Sequence, residues 1–238
     1  MAKNLRAVFL ISAISFSSVP AMSQTASWDS ARISTLMMRI KDFRPKDAFD
    51  PAPSQSSLSG QSFTVSWPLK DGSVRNMGIT SSGYWTYDTG SSMLTAVVRS
   101  SSLSYEPAAY FFQGSVTGGK AYAAQNGFGA SANVKRYEST GFGIQSGAQP
   151  AAAYELQLNL PANEARIVAA SLKVVMQGRF LDRGTSGPVS CEKDSIEPSI
   201  QRPIEILMTK CLALASISHV SIVRGDTGQS LREWSLGR

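Results

Sequence analysis

Alternating apolar and polar residues run through most of this chain and predict short β-strands. The clearest alternation covers Tyr154–Leu160, where every second side chain is apolar and the residues between are charged or amides. A period of two is typical of a strand with one buried face. Similar runs recur about ten times, separated by turns that contain glycine. The pattern predicts a mainly β chain with a minor helical part, folded as a β-sandwich or a partly open barrel.

The turns between these runs identify individual hairpins. Gly83–Arg99 predicts one, because aromatic and β-branched residues lead up to a polar turn and a second apolar run leaves it. Lys120–Ala124 and Ala130–Tyr137 predict two strands on either side of an Asn-Gly turn. Towards the end of the chain, Ile204–Met208 and Ile217–Val223 predict two separate strands.

Two stretches have the period of an α-helix instead. One face of the first, within 24–44, carries four apolar residues at helical spacing: Ile33, Leu36, Met37 and Ile40. We expect this face to dock on the β-rich part of the chain, with binding to a partner protein as the alternative. Ala162–Ala170 predicts a short internal helix after Pro161. A proline- and serine-rich stretch at 45–60 predicts a linker to a β-rich domain at 61–238.

The stretch 1–23 has the pattern of a secretory signal peptide. Lys3 and Arg6 form a positively charged start, Ala7–Phe16 is apolar, and small residues occupy the positions that a signal peptidase reads, ending at Ser23. The apolar run is shorter than the roughly 20 residues that span a bilayer, so we predict cleavage after Ser23 and no transmembrane span. The predicted location is periplasmic or secreted.

Cys191 and Cys211 are the two cysteines of the chain. In the oxidising compartment that the leader predicts, an even number of cysteines favours a disulfide, with two buried thiols as the alternative. No metal is expected, because His219 is the only histidine and no Cys-X-X-Cys or His-X-X-X-His spacing occurs. No cofactor is expected either: Gly114–Lys120 has phosphate-loop spacing, but Ala121 replaces the hydroxyl residue that holds magnesium.

The formal net charge of the chain is +6, and the basic residues are spread along it. No basic stripe with interleaved aromatic residues occurs, so nucleic acid is not an expected partner. A mild positive excess is typical of a solvated surface and also suits contact with anionic envelope polymers. An envelope protein is the expected partner, and nothing in the pattern predicts an oligomeric state.

Asp88–Ser91 and Asp226–Gly228 both contain Asp-Thr-Gly, and two interpretations compete. The first copy, within YDTGSSML, resembles the motif of pepsin-like proteases, in which two aspartates share a proton. The second departs from that motif, because Arg224 and Gly225 stand where apolar residues should precede the aspartate. The alternative is a turn in which Asp bonds its own backbone and Gly takes a positive φ. Both copies lie between apolar runs, which favours turns.

Two further features have a functional and a structural interpretation. His219 lies in the run Ser216–Ile222 without a nearby acid, so it is a general base only if the fold supplies partners. Aromatic residues are frequent in the N-terminal half: Phe63, Trp67, Tyr84, Trp85, Tyr87, Phe111 and Phe112. They predict core positions, with an exposed row that binds sugar as the alternative.

No complete catalytic set occurs among these motifs, so the sequence favours a non-enzymatic binding or accessory role in the envelope. The expected partner is a protein, bound through a sheet edge or through the N-terminal helix. The alternatives are an acid hydrolase that uses Asp88 and Asp226, with His219 as a further catalytic candidate, and a carbohydrate-binding module.

Overall fold

Two β-sheets and two α-helices make up the part of the chain that the structure describes. It is a computed structural model, and it describes residues 27–47, 50–51, 53–55, 57–74, 78–100, 108–125, 127–147, 153–184 and 187–236. The predicted signal peptide and its cut after Ser23 lie outside these residues. Within them the chain is mainly β and sandwich-like, and neither sheet closes into a barrel. The predicted mainly β class is confirmed.

Thirteen strands lie in the described part, against about ten that the sequence predicts, and two of the thirteen are only two residues long. In chain order they are β1 (Trp28–Asp29), β2 (Ser62–Pro68), β3 (Lys70–Asp71), β4 (Tyr84–Asp88), β5 (Met93–Arg99), β6 (Ala109–Thr117), β7 (Ala121–Gln125), β8 (Ser131–Ser146), β9 (Ala153–Asn159), β10 (Leu172–Phe180), β11 (Val189–Ile196), β12 (Ile204–Arg224) and β13 (Ser230–Ser235). The helices are α1 (Ser30–Asp42) and α2 (Ala162–Ser171).

The larger sheet is built around β12, which is 21 residues long. Its first half lies between β8 and β11, and its second half lies between β10 and β13. Beyond β10 follow β2 and β1, and beyond β8 follow β6 and β7. The sequence predicts two strands, Ile204–Met208 and Ile217–Val223, where the structure has this single one. A β-bulge in the pairing with β10, at Gln177 and Gly178, shifts the alternation within β12 and divides its pattern in two.

β6 and β7 follow each other along β8 and form one edge of the larger sheet. β6 pairs with the second part of β8, and β7 pairs with its beginning. Between the two strands the chain passes Gly119, where a Cβ atom would lie 1.1 Å from the Arg136 carbonyl oxygen. Glycine, which has no Cβ, allows this close approach and keeps the two strands in line beside β8.

The smaller sheet has the order β3-β4-β5-β9. β4 and β5 form the hairpin predicted over Gly83–Arg99, with Asp88 opposite Met93. β9 pairs antiparallel with β5 and has the alternation expected of it. Tyr154 and Leu156 are buried, whereas the residues between and around them are exposed.

The core joins apolar side chains of both sheets and both helices. The larger sheet contributes Phe63, Val65, Trp67, Val174, Met176, Val220 and Ile222, and the smaller sheet contributes Leu94, Ala96, Val98, Tyr154 and Leu156. Burying a side chain such as Leu or Phe stabilises the fold by about 1.5–3 kcal/mol, so this cluster holds the two sheets together.

Both predicted helices are present. α1 begins after Asp29, whose carboxylate accepts a hydrogen bond from the Arg32 N–H at 2.8 Å and thereby caps the helix. α2 follows Pro161 and carries Glu164 in its first turn, where a negative charge is favourable. Among the described residues, neither helix is long and apolar enough to cross a membrane.

Candidate functional site

The two Asp-Thr-Gly turns lie on different sheets, and each carboxylate is held within its own turn. Asp88 ends β4 and accepts hydrogen bonds from the Gly90 N–H at 3.0 Å and from the Ser91 hydroxyl at 2.6 Å. Asp226 lies between β12 and β13 and accepts a hydrogen bond from the Arg224 guanidinium at 2.8 Å. These contacts are those of turn residues.

The electrostatics of the two aspartates also differ from those of a catalytic pair. Hydrogen bonds from the Ser91 hydroxyl and the Gly90 N–H lower the pKa of Asp88. The hydrogen bond from Arg224 lowers the pKa of Asp226. Two carboxyl groups that share a proton need the pKa of one group raised by the other. Since both are exposed and both pKa values are lowered, the geometry does not favour an acid hydrolase.

His219 lies on β12 between Gln177 of β10 and Ser235 of β13. Its Nε2 is 3.9 Å from a Glu233 carboxylate oxygen, beyond hydrogen-bonding distance. Among the described residues, no serine or threonine hydroxyl is hydrogen-bonded to this imidazole. The surroundings of His219 are those of a strand residue and not of a general base.

The predicted disulfide between Cys191 and Cys211 is confirmed. The two residues are directly opposite each other on β11 and β12. Both sulfur atoms lie 4.0 Å from the Met37 carbonyl oxygen, so α1 rests on the cross-link.

The apolar face of α1 is covered by the chain's own core. Ile33, Leu36 and Met37 are at most 9% exposed. Ile40 is partly buried against the same cluster. A side chain that is buried in its own chain offers no surface to a partner, so Ile33, Leu36 and Met37 are reassigned from partner binding to the core, and Ile40 packs at its margin.

The seven aromatic residues that the sequence analysis offers as a sugar-binding row do not form an exposed row. Four of them are buried: Phe63, Trp67, Phe111 and Phe112. The other three, Tyr84, Trp85 and Tyr87, are half-buried on β4. The Tyr87 hydroxyl donates to the Leu160 carbonyl oxygen at 3.0 Å, which is a structural contact. A sugar-binding platform is therefore not favoured at these residues.

The outer side of β6 is covered over its first part only. Ser82 lies against it there: the Ser82 N–H donates to the Phe111 carbonyl oxygen at 2.6 Å, and the Phe111 N–H donates to the Ser82 hydroxyl at 2.8 Å. From Ser115 to Gln125 no strand or segment of the described chain pairs with this side. We name the outer side of Ser115–Gln125 the free edge.

The pairing of β7 with β8 determines which backbone groups of the free edge point outward. The Arg136 N–H donates to the Lys120 carbonyl oxygen at 3.2 Å, so the backbone of Lys120 faces β8. Backbone groups alternate between the two sides of a strand, and every second residue after Lys120 also faces β8. The residues that present N–H and C=O groups outward are Ala121, Ala123 and Gln125.

Tyr122 is fixed on β7 by a nearly buried acid. The side chain of Glu205 is 9% exposed, and its carboxylate accepts hydrogen bonds from the Arg136 guanidinium at 2.7 Å and from the Tyr122 hydroxyl at 3.0 Å. The guanidinium also lies 5.2 Å from the centroid of the Tyr122 ring. The hydrogen bond from Arg136 lowers the pKa of Glu205, so this carboxylate is ionised at neutral pH. The network ties β7 to β8 and β12.

Exposed apolar side chains lie at the end of the sheet next to the free edge. Phe128, in the turn between β7 and β8, is 99% exposed, and Ile200, between β11 and β12, is 58% exposed. An open cavity of about 540 Å³ is lined there mainly by small apolar residues: Ala124, Ala130, Ala132, Val134 and Ile200. Exposed apolar side chains grouped at one place are typical of an interaction surface.

The sequence locates a strand at Lys120–Ala124 but carries no sign that it is an edge strand. The one local signal is Phe128, an aromatic residue directly after an Asn-Gly pair, where a turn is usually polar. The Arg136–Glu205 pair has no sequence signal, because its partners come from different parts of the chain.

The fold and the free edge define a mainly β, disulfide-bonded protein with an open sheet edge. Within the described ranges, no group of three or more His, Cys, Asp or Glu side chains is placed to hold a metal ion. Comparison with known proteins found no match to a protein-family model, to a curated protein or to a solved structure. What the chain does is therefore inferred from its own geometry.

Proposed function

We propose that this chain is an exported, non-enzymatic binding or accessory protein of the envelope, and that it binds a protein partner by strand addition at the free edge. In strand addition an extended segment of the partner pairs with an open strand, and neighbouring pockets receive its side chains. The outward N–H and C=O groups of Ala121, Ala123 and Gln125 are the observation that carries this proposal.

The composition of β7 supports binding. Edge strands that do not bind are usually protected by lysine, proline, a bulge or a covering segment. β7 reads Ala-Tyr-Ala-Ala-Gln, with no charge and no proline. Two other edge positions are covered in the described chain: the Gln55 side chain bonds both backbone groups of Val189 on β11, and Ser82 covers the start of β6.

The surface beside the free edge indicates the chemistry of the partner. Tyr122 is held in place by Glu205, and the alanine-lined cavity leaves space for larger side chains. Phe128 and Ile200 add apolar area at the same end. We expect an uncharged, extended partner segment whose alternate side chains are apolar.

The disulfide supports a location outside the cytoplasm, because disulfides form and persist in the periplasm and in secreted proteins. The signal-peptide pattern of 1–23 points to the same compartments. A periplasmic or secreted binding protein is the combination that both features support.

The first test replaces Ala123 with proline. The Ala123 N–H points outward, so Ala123→Pro removes a donor from the free edge and leaves the hydrogen bonds between β7 and β8 in place. Ala123→Thr keeps the N–H and favours the strand, which makes it the matched control. A photo-reactive residue replaces Ala121, and the protein is cross-linked in an envelope extract. We expect one dominant cross-linked product. Its yield should fall about tenfold with Ala123→Pro and stay unchanged with Ala123→Thr.

A photo-reactive residue at Ile167, which is exposed on α2, serves as the control for non-specific cross-linking. Equal yields from Ala121 and Ile167, or a yield that Ala123→Pro leaves unchanged, would contradict strand addition at the free edge. A product that contains two copies of this chain identifies the partner as a second copy, bound in the same way.

A further inference from the structure

A second site lies where the two sheets meet. A cavity of about 470 Å³ is bounded by β3, β4 and the end of β5 on one side and by β6 and β12 on the other. The segment Gly78–Gly83 forms part of its wall, and none of the described lining residues belongs to the free edge. The volume falls within the range of small-molecule sites, about 300–1,000 Å³.

Among the described residues that line this cavity, positive charge exceeds negative charge. The charged ones are Lys70, Asp71, Arg99 and Lys210. Lys210 is paired with Asp194 at 3.3 Å, and Asp71 accepts hydrogen bonds from the N–H and the hydroxyl of Ser73. Neither Lys70 nor Arg99 has an ion-pair partner in the described part of the chain. Two cations without an ion-pair partner in the described chain, both at one cavity, attract an anion.

A buried hydroxyl in the cavity wall has no hydrogen-bond partner among the described residues. Ser81 lines the cavity and is 8% exposed, and its Oγ bonds to no atom of the described chain. The neighbouring Ser82, in contrast, uses both its hydroxyl and its N–H in bonds to Phe111. Most buried hydroxyls are hydrogen-bonded, so this one is available to a polar group that binds beside it.

We propose that this cavity binds a small organic anion through a carboxylate or phosphate group held by Arg99, Lys70 and the Ser81 hydroxyl. The planar guanidinium of Arg99 suits two parallel hydrogen bonds to either oxyanion, and Lys70 adds a compact charge. Apolar side chains in the wall contact the organic part of the ligand: Ile79, Phe111 and Leu212. This site is independent of the free edge and of the partner bound there.

Isothermal titration calorimetry on the purified protein tests this site with glucose 6-phosphate, glucuronate and uncharged glucose. We expect saturable binding of at least one of the two acids and none of glucose, and the acid that binds more tightly distinguishes a phosphate site from a carboxylate site. Arg99→Gln should weaken binding about tenfold or more, and Ser81→Ala about three- to tenfold. Arg166→Gln, which removes an exposed cation on α2, should leave the affinity unchanged.

Equal unfolding temperatures of wild type and variants separate a loss of affinity from a loss of fold. The proposal is overturned if neither acid gives saturable binding at millimolar concentration. It is also overturned if glucose binds as well as the acids, or if Arg99→Gln leaves the affinity intact.

Discussion

One buried hydrogen bond joins β2 to Ser82, which lies against β6. These two strands stand towards opposite ends of the strand order of the larger sheet. The Trp67 indole N–H, at the end of β2, donates to the Ser82 carbonyl oxygen at 2.5 Å, and Trp67 is 2% exposed. Ser82 in turn covers the start of β6 through its two bonds to Phe111. Removing the indole N–H leaves a buried carbonyl without a partner, and that costs more than the hydrogen bond itself contributes.

Trp67→Phe should therefore lower the free energy of unfolding by about 2–4 kcal/mol, from the lost hydrogen bond and the smaller ring. Trp85→Phe is the control, because Trp85 is half-buried on β4 and its indole N–H has no described hydrogen-bond partner. This second change should cost about 1 kcal/mol or less. Urea unfolding followed by circular dichroism measures the free energy of unfolding of both variants. Equal losses would show that the hydrogen bond to Ser82 does not stabilise the fold.

Among the elements, α1 belongs to the core although it precedes every long strand. Its apolar spacing is a local feature, and the helix is found where that spacing predicts one. What the pattern leaves open is which surface covers the apolar face. The covering surface includes β11 and β12 beside the disulfide, so α1 stabilises the sheet.

Two neighbouring methionines test this role of α1. Met37 is fully buried, whereas Met38 is 41% exposed on the other side of the same helix. Met37→Ala should lower the free energy of unfolding by about 2–5 kcal/mol because it leaves a cavity in the core. Met38→Ala should change it by about 0.5 kcal/mol or less. Urea titrations of the two variants give the comparison, and a small effect of both changes would mean that α1 does not dock on the sheet.

Across the whole molecule, local patterns predict elements better than they predict neighbours. The alternation of β9 and the helical spacing of α1 depend on adjacent residues, and the structure has both elements in place. β12 is different: its middle is apolar on both faces and contains a shift of alternation, so its two ends appear as separate strands in the sequence. The order of strands in a sheet has no local signal.

The candidate sites also divide into local features, which the sequence predicts, and features that depend on the assembled fold. The Asp88 turn is local and predictable, although the positive φ falls on Ser92, at 53°, and not on glycine. The free edge exists because no described strand pairs with the outer side of β7, and this depends on the strand order of the sheet. The cavity at Arg99 depends on how two sheets meet. Properties of this kind become visible only in the assembled fold.

The disulfide acts at the centre of this assembly, since it joins the edge strand β11 to the central strand β12 beneath α1. It closes a loop of 20 residues, and restricting such a loop in the unfolded chain stabilises the fold by about 3 kcal/mol in the chain-entropy account. The paired change Cys191→Ala and Cys211→Ala should therefore lower the free energy of unfolding by about that amount, and a reductant should lower that of the wild type similarly. Urea titrations with and without reductant measure both effects, and the double variant must not respond to the reductant. If reduction left the midpoint of the wild type unchanged, the cross-link would contribute nothing beyond the hydrogen bonds that already pair β11 with β12.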